Sequence, residues 1–345
     1  MSRKSTNVRL SRRHAQGVSL IELMIALVLG LLVVSAAIGI FVSNRQVFRA
    51  TDNLSYVQEN ARVAFELMAR ELRQAAGNPC SRNIPIVNVL VSTTTWGTAW
   101  GDGVRGYDGS AGTAFPVVLA GTGKRDRIAG TDAIELRSGS SGDVSVEDHK
   151  PKSAQFKVNT KAHGLVDGDI VMVCDYVQAA IFKITNASSS NVTIVHNEGQ
   201  GTDPKNCTKA LGYPMGMPCN KPQNDNYYAY GPNSIITKLK ATAWYVGVSG
   251  SDTQRRSLYQ VQMINKAGAP DTLVQEIAEG VSDMQLEYLV AGGSGYVTAE
   301  NVGNWSQVLA VRVNLTMEGP EAVDVDGTPI VRTVSHVVTL RNRNT

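Results

Sequence analysis

An isolated carboxylate, Glu22, lies inside an apolar run that extends over residues 18–42. No other ionisable side chain occurs in this run, and the next one along the chain is Arg45. Placing a carboxylate in a membrane-length apolar segment costs about 2–3 kcal/mol even on lenient insertion scales. Either Glu22 has a function there, or it lies near the membrane surface and its side chain reaches water. The residue type and its position leave both explanations open.

The other polar motifs do not form a catalytic or metal-binding pattern. No Gly-x-Ser-x-Gly segment surrounds a candidate nucleophile, and residues 121–124 lack the rest of a phosphate-binding loop. Residues 324–327 resemble a calcium loop without its later glutamate, so a hairpin turn explains them better. The Asp-Gly segments 101–103 and 167–169 have the same explanation, with calcium on a surface loop as the alternative. We therefore expect no enzyme activity, no cofactor and no metal site.

The positive charge of the chain is concentrated at its start. The first 17 residues contain no acid and five cations, namely Arg3, Lys4, Arg9, Arg12 and Arg13. The remaining residues carry 28 Lys and Arg against 30 Asp and Glu, so the body is close to neutral. The net charge of +3 therefore belongs to a short leader, and we expect no nucleic-acid partner.

The apolar run after Glu22 is long enough to cross a membrane. Residues 23–42 would rise about 30 Å as a helix, which is the thickness of the hydrocarbon core. The positive-inside rule then places residues 1–17 in the cytoplasm and the bulk of the chain on the opposite side. A cleaved secretory signal, cut near Ser35, Ala36 and Ala37, is the alternative. It is less favoured because the run is long for a signal core and contains a carboxylate.

The segment Gly-Val-Ser-Leu-Ile-Glu at residues 17–22 follows the basic leader and opens the apolar run. It resembles the class III signal of type IV pilins and type II secretion pseudopilins. In that family a prepilin peptidase cuts after the glycine, here Gly17, and methylates the new terminal amine, here on Val18. The resemblance implies that Glu22, as the fifth mature residue, faces the terminal ammonium of a neighbouring subunit. The chain departs from the family in having Val18 where phenylalanine is commonest and no proline in the span.

Beyond the apolar run, residues 44–76 predict an amphipathic helix. They lack Gly and Pro and place apolar or small residues at helical spacing along one face. Gly77-Asn78-Pro79 predicts the end of this helix. Because no helix breaker occurs near residues 42–45, we expect one continuous helix from about residue 20 to residue 76, about 85 Å long. Two separate helices are the alternative.

Residues after 78 change to short β-type runs separated by Gly, Ser, Asn and Asp, which predicts an antiparallel β-rich domain. Residues 274–281 predict a short helix or turn that feeds a strand at 284–290, and the glycine-rich stretch 101–112 predicts a surface loop. The expected fold class is α+β and pilin-like, with a long N-terminal helix packed on the β-rich domain. The predicted strands are 84–92, 133–137, 154–158, 169–175, 180–185, 191–195, 235–248, 257–263, 308–317 and 331–341.

Four cysteines in an exported domain predict two disulfides, for which three pairings are possible. We expect Cys207 to pair with Cys219, because both lie in the irregular insertion at residues 199–233. Cys80 then pairs with Cys174 and ties the end of the helix to a strand. A metal site is a poor alternative because no Cys-x-x-Cys occurs and the histidines are scattered: His149, His163, His196 and His336.

Further blocks narrow the resemblance to the PilW group of minor pilins: residues 43–46, 58–62, 65–73, 168–175, 279–288 and 339–343. This resemblance implies a minor pilin that primes assembly of a type IV pilus and enters it near the tip, with roles in motility or adhesion. Its partners would be the prepilin peptidase, other minor pilins, the major pilin, inner-membrane lipid and, as a further candidate, a pilus-tip adhesin.

The resemblance also divides the chain into four parts. These are a leader at 1–17, a transmembrane assembly helix at 18–43, an amphipathic helix at 44–78 and a periplasmic β-rich domain at 79–345. A J-like minor pseudopilin of type II secretion is the nearest alternative. A membrane-anchored exported enzyme or binding protein is a more distant one, and it predicts that Glu22→Ala is tolerated.

Overall fold

A computed structural model gives the architecture of the chain. The residues that it describes are 17–77, 79–80, 84–91, 96, 98, 100, 102–109, 115–140, 144–199, 203–214, 226–323 and 326–343.

One continuous helix, α1 (Leu20–Gln74), confirms the prediction of a single long helix. Its 55 residues rise about 80 Å. The helix ends where Ala76 takes a left-handed conformation, with φ of 59°, and donates its N–H to the carbonyl of Arg137. The side-chain amide of Asn342 donates to the carbonyls of Gln74 and Ala75, so the end of the helix is tied to the C-terminal segment.

The rest of the described chain is β-rich, with three short 3₁₀ turns at Pro151–Ser153, Ala299–Asn301 and Trp305–Gln307. Its strands are β1 (Ile86–Asn88), β2 (Val104–Tyr107), β3 (Ala133–Gly139), β4 (Val144–Lys150), β5 (Gln155–Val158), β6 (Ile170–Cys174), β7 (Ala179–Lys183), β8 (Asn186–Ala187), β9 (Thr193–Val195), β10 (Ile235–Val248), β11 (Arg256–Lys266), β12 (Ala269–Glu279), β13 (Val281–Val290), β14 (Tyr296–Val297), β15 (Val308–Ala322) and β16 (Pro329–Thr339).

The long strand β10 joins two parts of the larger sheet. Its first residues, 235–238, pair with β6 on one side and with β4 on the other, in the order β1-β7-β6-β10-β4-β5-β9-β8. Its later residues pair with β3 and β11, which extend the sheet to β2 and β12. A smaller antiparallel sheet has the order β14-β13-β15-β16. Gly280, with φ of +83°, carries the chain from β12 into this smaller sheet.

The second half of α1 packs on both sheets. Val57, Ala64, Met68 and Leu72 of α1 share the largest hydrophobic core with side chains from β3, β10, β13, β15 and β16. Together with Ala61, these helix residues recur every three or four positions, so one stripe of the helix faces the body. The first half of the helix, up to residue 49, has only exposed side chains.

A buried carboxylate fixes the helix to β10. Glu71 is 6% exposed, and its two oxygens accept from Lys240 Nζ at 2.7 Å and from Trp244 Nε1 at 2.9 Å. A second contact lies closer to the exposed half, where Arg49 forms an ion pair with Glu321 of β15 at 2.7 Å. Because the Glu71 contacts are buried and the Arg49 pair is half exposed, Glu71 contributes more to helix docking.

The observed strands correct two predictions. Residues 274–281 do not form a helix or turn, because residues 269–279 are strand β12, paired along its length with β11. The helix-forming Glu276 is drawn into the sheet by hydrogen bonds from the hydroxyls of Ser257 and Ser249. The stretch 101–112 is not only a loop, because it contains strand β2. Within β2, a Cβ atom at Gly106 would overlap the side chain of Tyr288. That glycine serves close packing rather than flexibility.

The prediction of antiparallel pairing holds for every strand pair in the described residues except one. Strand β1 runs parallel to β7, with Ile86 beside Ala179. The intervening chain contains β2 to β6, so β1 reaches β7 by a long connection rather than by a hairpin.

We expect Glu71→Gln to lower the free energy of unfolding by about 1–3 kcal/mol, because a charge-assisted contact to Lys240 is lost in a buried place. The matched control is Glu66→Gln on the exposed side of the same helix, which should change stability by less than about 0.5 kcal/mol. Denaturant unfolding of the detergent-solubilised chain, followed by tryptophan fluorescence, measures both. Equal effects of the two substitutions would contradict the role given to Glu71.

Candidate assembly site

The segment before α1 is extended and accessible. Gly17 and Val18 precede the helix, and Ser19 takes the N-cap position with an extended backbone. A side chain at Gly17 would meet no other atom within 4 Å, so the fold of this chain does not require glycine there. A glycine that the fold does not require can instead serve as a recognition residue for a protease that cleaves the chain.

Glu22 lies in the first turn of α1. One of its carboxylate oxygens accepts from the backbone N–H of Ser19 at 3.3 Å. A negative charge at this end of a helix also interacts favourably with the helix dipole. Among the described residues, no cation lies near the start of the helix, and the contact found for Glu22 is this weak backbone hydrogen bond.

The apolar half of α1 packs against no other part of the described chain. Every side chain from Leu20 to Phe48 is exposed, and the large apolar ones expose between 47% and 78% of their surface. The helix is long and apolar enough to cross a membrane by length and composition. Moving a fully exposed Leu, Ile or Val side chain out of water is favourable by about 1.5–3 kcal/mol. This half of the helix therefore needs lipid or other helices around it.

The disulfide that ties the helix end to the sheet confirms one predicted pairing. Cys80 bonds to Cys174 at the end of β6, with 6.0 Å between the Cα atoms and 94 residues between them in the sequence. Closing a loop of this length contributes about 4–5 kcal/mol in the chain-entropy account. Cys207 is also disulfide-bonded, whereas Cys219 lies outside the described residues, so the pairing of these two stays a prediction.

Two of the histidines that are scattered in the sequence meet in the fold. His149 Nε2 and His196 Nε2 are 3.2 Å apart and buried, with the ring of Phe156 stacked on His149 at 3.8 Å. His149 Nδ1 accepts from the backbone N–H of Tyr230, so its Nε2 carries the proton and donates to His196. Burial lowers the pKa of His149 to about 4 and that of His196 to about 3, so both rings are neutral at pH 7.

The histidine pair lacks a third metal-binding side chain among the described residues. Within the described residues, no group of three His, Cys, Asp or Glu side chains is placed to bind a metal. The other two histidines also have structural contacts: His163 Nδ1 accepts from Leu165 N–H, and His336 stacks on Phe65 of α1.

The motifs set aside in the sequence have structural roles where the structure describes them. The loop at 121–124 closes around Asp126, which accepts from the N–H of Gly123 at 2.8 Å. Asp167 accepts from Ala187 N–H, and Asp169 pairs with Lys238 at 2.7 Å. Of the segment 324–327, residues 324 and 325 lie outside the described residues.

Glu71 is the functional side chain that sequence analysis missed. A signal for it exists, because it lies three residues after Met68 and seven after Ala64, on the apolar face of the helix. A carboxylate on a buried face predicts a cationic or hydrogen-bonding partner in the body.

Two family models match this chain. The prokaryotic N-terminal methylation motif matches residues 12–38, which contain the glycine, the glutamate and most of the apolar run. The type IV pilus-assembly protein W family, PilW, matches residues 243–342, from the second half of β10 to the segment that caps α1. No match was found among curated proteins.

We expect the free energy of unfolding to fall as the pH drops from about 6.5 towards 4, because the unfolded chain then binds protons that the buried His149–His196 pair rejects. The loss amounts to at most about 1.4 kcal/mol per pH unit for each histidine. His196→Leu should reduce this slope, whereas His336→Leu, at an exposed position, should leave it unchanged.

Denaturant unfolding at a series of pH values measures the slopes. Comparison between variants removes the contribution of other titrating groups, such as Asp132, whose pKa burial raises to about 6. Equal slopes in the wild type and in His196→Leu would contradict this prediction.

Proposed function

We propose that this chain primes assembly of a type IV pilus and enters it near the tip. The proposal starts from a type IV minor pilin of the PilW group, which the two family matches support. Its role is structural, because the pilin-family matches point to a pilus component rather than to an enzyme. Assembly proceeds by contact with other minor pilins and the major pilin.

The bare half of α1 is the observation that carries this proposal. About 30 residues of helix, some 45 Å, extend beyond the last residue that contacts the body. A membrane anchor alone needs about 20 apolar residues and no acid. The acid near the start of the helix therefore supports an assembly role in addition to anchoring.

In this proposal Glu22 sets the register of neighbouring subunits. In lipid, an unpaired carboxylate is costly, and the Ser19 N–H at 3.3 Å compensates it only weakly. The terminal ammonium of an adjacent processed chain would supply the opposite charge. Such a pair adds little net stability but penalises every arrangement in which either charge is unpaired, which fixes one register.

Processing by the prepilin peptidase creates that ammonium. The peptidase would cut after Gly17 and methylate Val18, in the extended segment that precedes α1. Residues 1–17 would lie in the cytoplasm, 18–43 in the inner membrane, and 44–78 with 79–345 in the periplasm. The Cys80–Cys174 disulfide is in keeping with an exported, oxidising compartment for the body.

A J-like pseudopilin of type II secretion shares the N-terminal motif, so residues 12–38 do not separate the two systems. The match to the PilW family over residues 243–342 favours the pilus.

We expect Glu22→Ala to insert into the membrane normally but to abolish pilus priming, because the charge that fixes register is lost. Glu300→Ala, which removes an exposed acid on a 3₁₀ turn of the body, is the control and should support normal piliation. Membrane fractionation and counting of surface pili in a deletion strain supply the measurements. Normal piliation with Glu22→Ala would contradict the proposed function.

We expect Gly17→Val to accumulate as an unprocessed precursor, because a side chain at the cleavage position blocks the peptidase rather than the fold. Gly30→Ala is the matched control, since Gly30 also has open space around it but lies inside the helix. Electrophoresis of membrane fractions shows the precursor as a slower band. Normal processing of Gly17→Val would argue against cleavage at this position.

A further inference from the structure

The face of α1 that points away from the body carries a row of charged side chains. Val57, Ala64 and Met68 mark the side of the helix that packs on the body. At 100° per residue, positions near 52, 59, 66 and 73 fall on the opposite side, and their side chains are exposed. We call this set the outer stripe: Asp52, Glu59, Glu66, Arg70 and Arg73.

Four charges of the outer stripe have no partner in their own chain. Within the described residues, Asp52, Glu59, Arg70 and Arg73 form no ion pair and no side-chain hydrogen bond. Glu66 is already occupied in an ion pair within the helix. The unpaired charges are therefore acidic on the side towards the apolar half and basic towards the end of the helix.

The basic end of the outer stripe borders a cleft without acids. Arg70 and Arg73 line it together with Arg341, with Lys240, whose charge is paired with Glu71, and with polar side chains such as Asn342. No Asp or Glu belongs to the described lining of this cleft. An acidic surface is therefore the complementary neighbour for this end of the helix.

The spacing of these charges would place acids beside bases if a second copy of the helix lay parallel and shifted along the axis. Glu59 precedes Arg73 by 14 residues and Asp52 precedes Arg70 by 18, which correspond to rises of about 21 and 27 Å. These separations are close to four and five helical turns, so each acid and its base lie on the same side of the helix. Two parallel copies in register would instead bring like charges together.

We propose that the outer stripe is an interaction surface for a second copy of this chain, with its helix parallel and shifted by about 21–27 Å along the axis. The acids of the copy farther from the cytoplasm then lie beside the bases of the other. This proposal rests on the proposed function, because membrane insertion in one direction is what makes the helices parallel.

The charges of the outer stripe select a register and add a modest part of the affinity. Exposed ion pairs contribute at most about 1 kcal/mol each and weaken as salt rises. Lateral packing of the apolar halves provides the association, and the unpaired charges decide which axial shift is preferred.

Cysteine cross-linking tests the shift directly in the full-length protein. Two differently tagged copies are produced together, one with Glu59→Cys and one with Arg73→Cys, and treated in membranes with a short thiol-reactive linker. The described cysteines are all disulfide-bonded, so the linker reacts with the two introduced thiols. The Asp52–Arg70 pairing remains intact in this experiment. We expect mixed 59–73 products to exceed 59–59 and 73–73 products at least fivefold. Predominant 59–59 and 73–73 products would overturn the proposal.

Charge reversal tests the cause of the shift. In doubly tagged cells, Arg70→Glu with Arg73→Glu in both copies should lower co-purification about fivefold or more, because acids then face acids. Adding Asp52→Arg and Glu59→Arg in both copies should restore it. The control is Lys152→Glu, an exposed charge reversal on a 3₁₀ turn of the body, which should have no effect.

Failure to restore co-purification, or cross-linking of residue 73 only to a different pilin, would overturn a second copy as the partner. These results are distinguishable from failure of the proposed function, because Glu22→Ala tests pilus priming whichever partner lies against the outer stripe.

Discussion

The apolar half of α1 is the constraint on which the rest of this structure depends. Among the described residues, its side chains from Leu20 to Phe48 are exposed, and the one carboxylate among them, Glu22, accepts a hydrogen bond only from a backbone N–H. Lipid satisfies the apolar surface but not the charge. In the proposed function, a neighbouring subunit with a terminal ammonium would satisfy both.

The second half of α1 attaches the helix firmly to the β-rich body. Buried side chains such as Met68 and Leu72 fix it to both sheets, Glu71 binds β10 through Lys240 and Trp244, and Cys80–Cys174 closes the chain just beyond its end. A displacement of the membrane half is therefore transmitted to the β-rich body. The span of the PilW match, from β10 to the segment capping α1, includes much of the surface on which the helix packs.

The sequence predicted those features of the fold that depend on local residue patterns. The single helix, most strands and the Cys80–Cys174 disulfide follow from hydrophobic spacing, breakers and cysteine arithmetic. Strand β12 did not, because its Gln and Glu residues favour a helix until β11 pairs with them. The meeting of His149 with His196, 47 residues apart, depends on how β4 and the segment after β9 come together, which no spacing in the sequence encodes. The N-terminal site stays a prediction, and the sequence alone suggests it because its residues are adjacent in the chain.

The mass of the mature N-terminal peptide, isolated from the membrane fraction, tests the central claim most directly. A structural assembly helix requires that the mature chain begins at Val18, with a methylated amine and with Glu22 retained. A mature chain that begins near Ile38, with the apolar segment removed, would show that residues 18–37 are an export signal and would contradict the account.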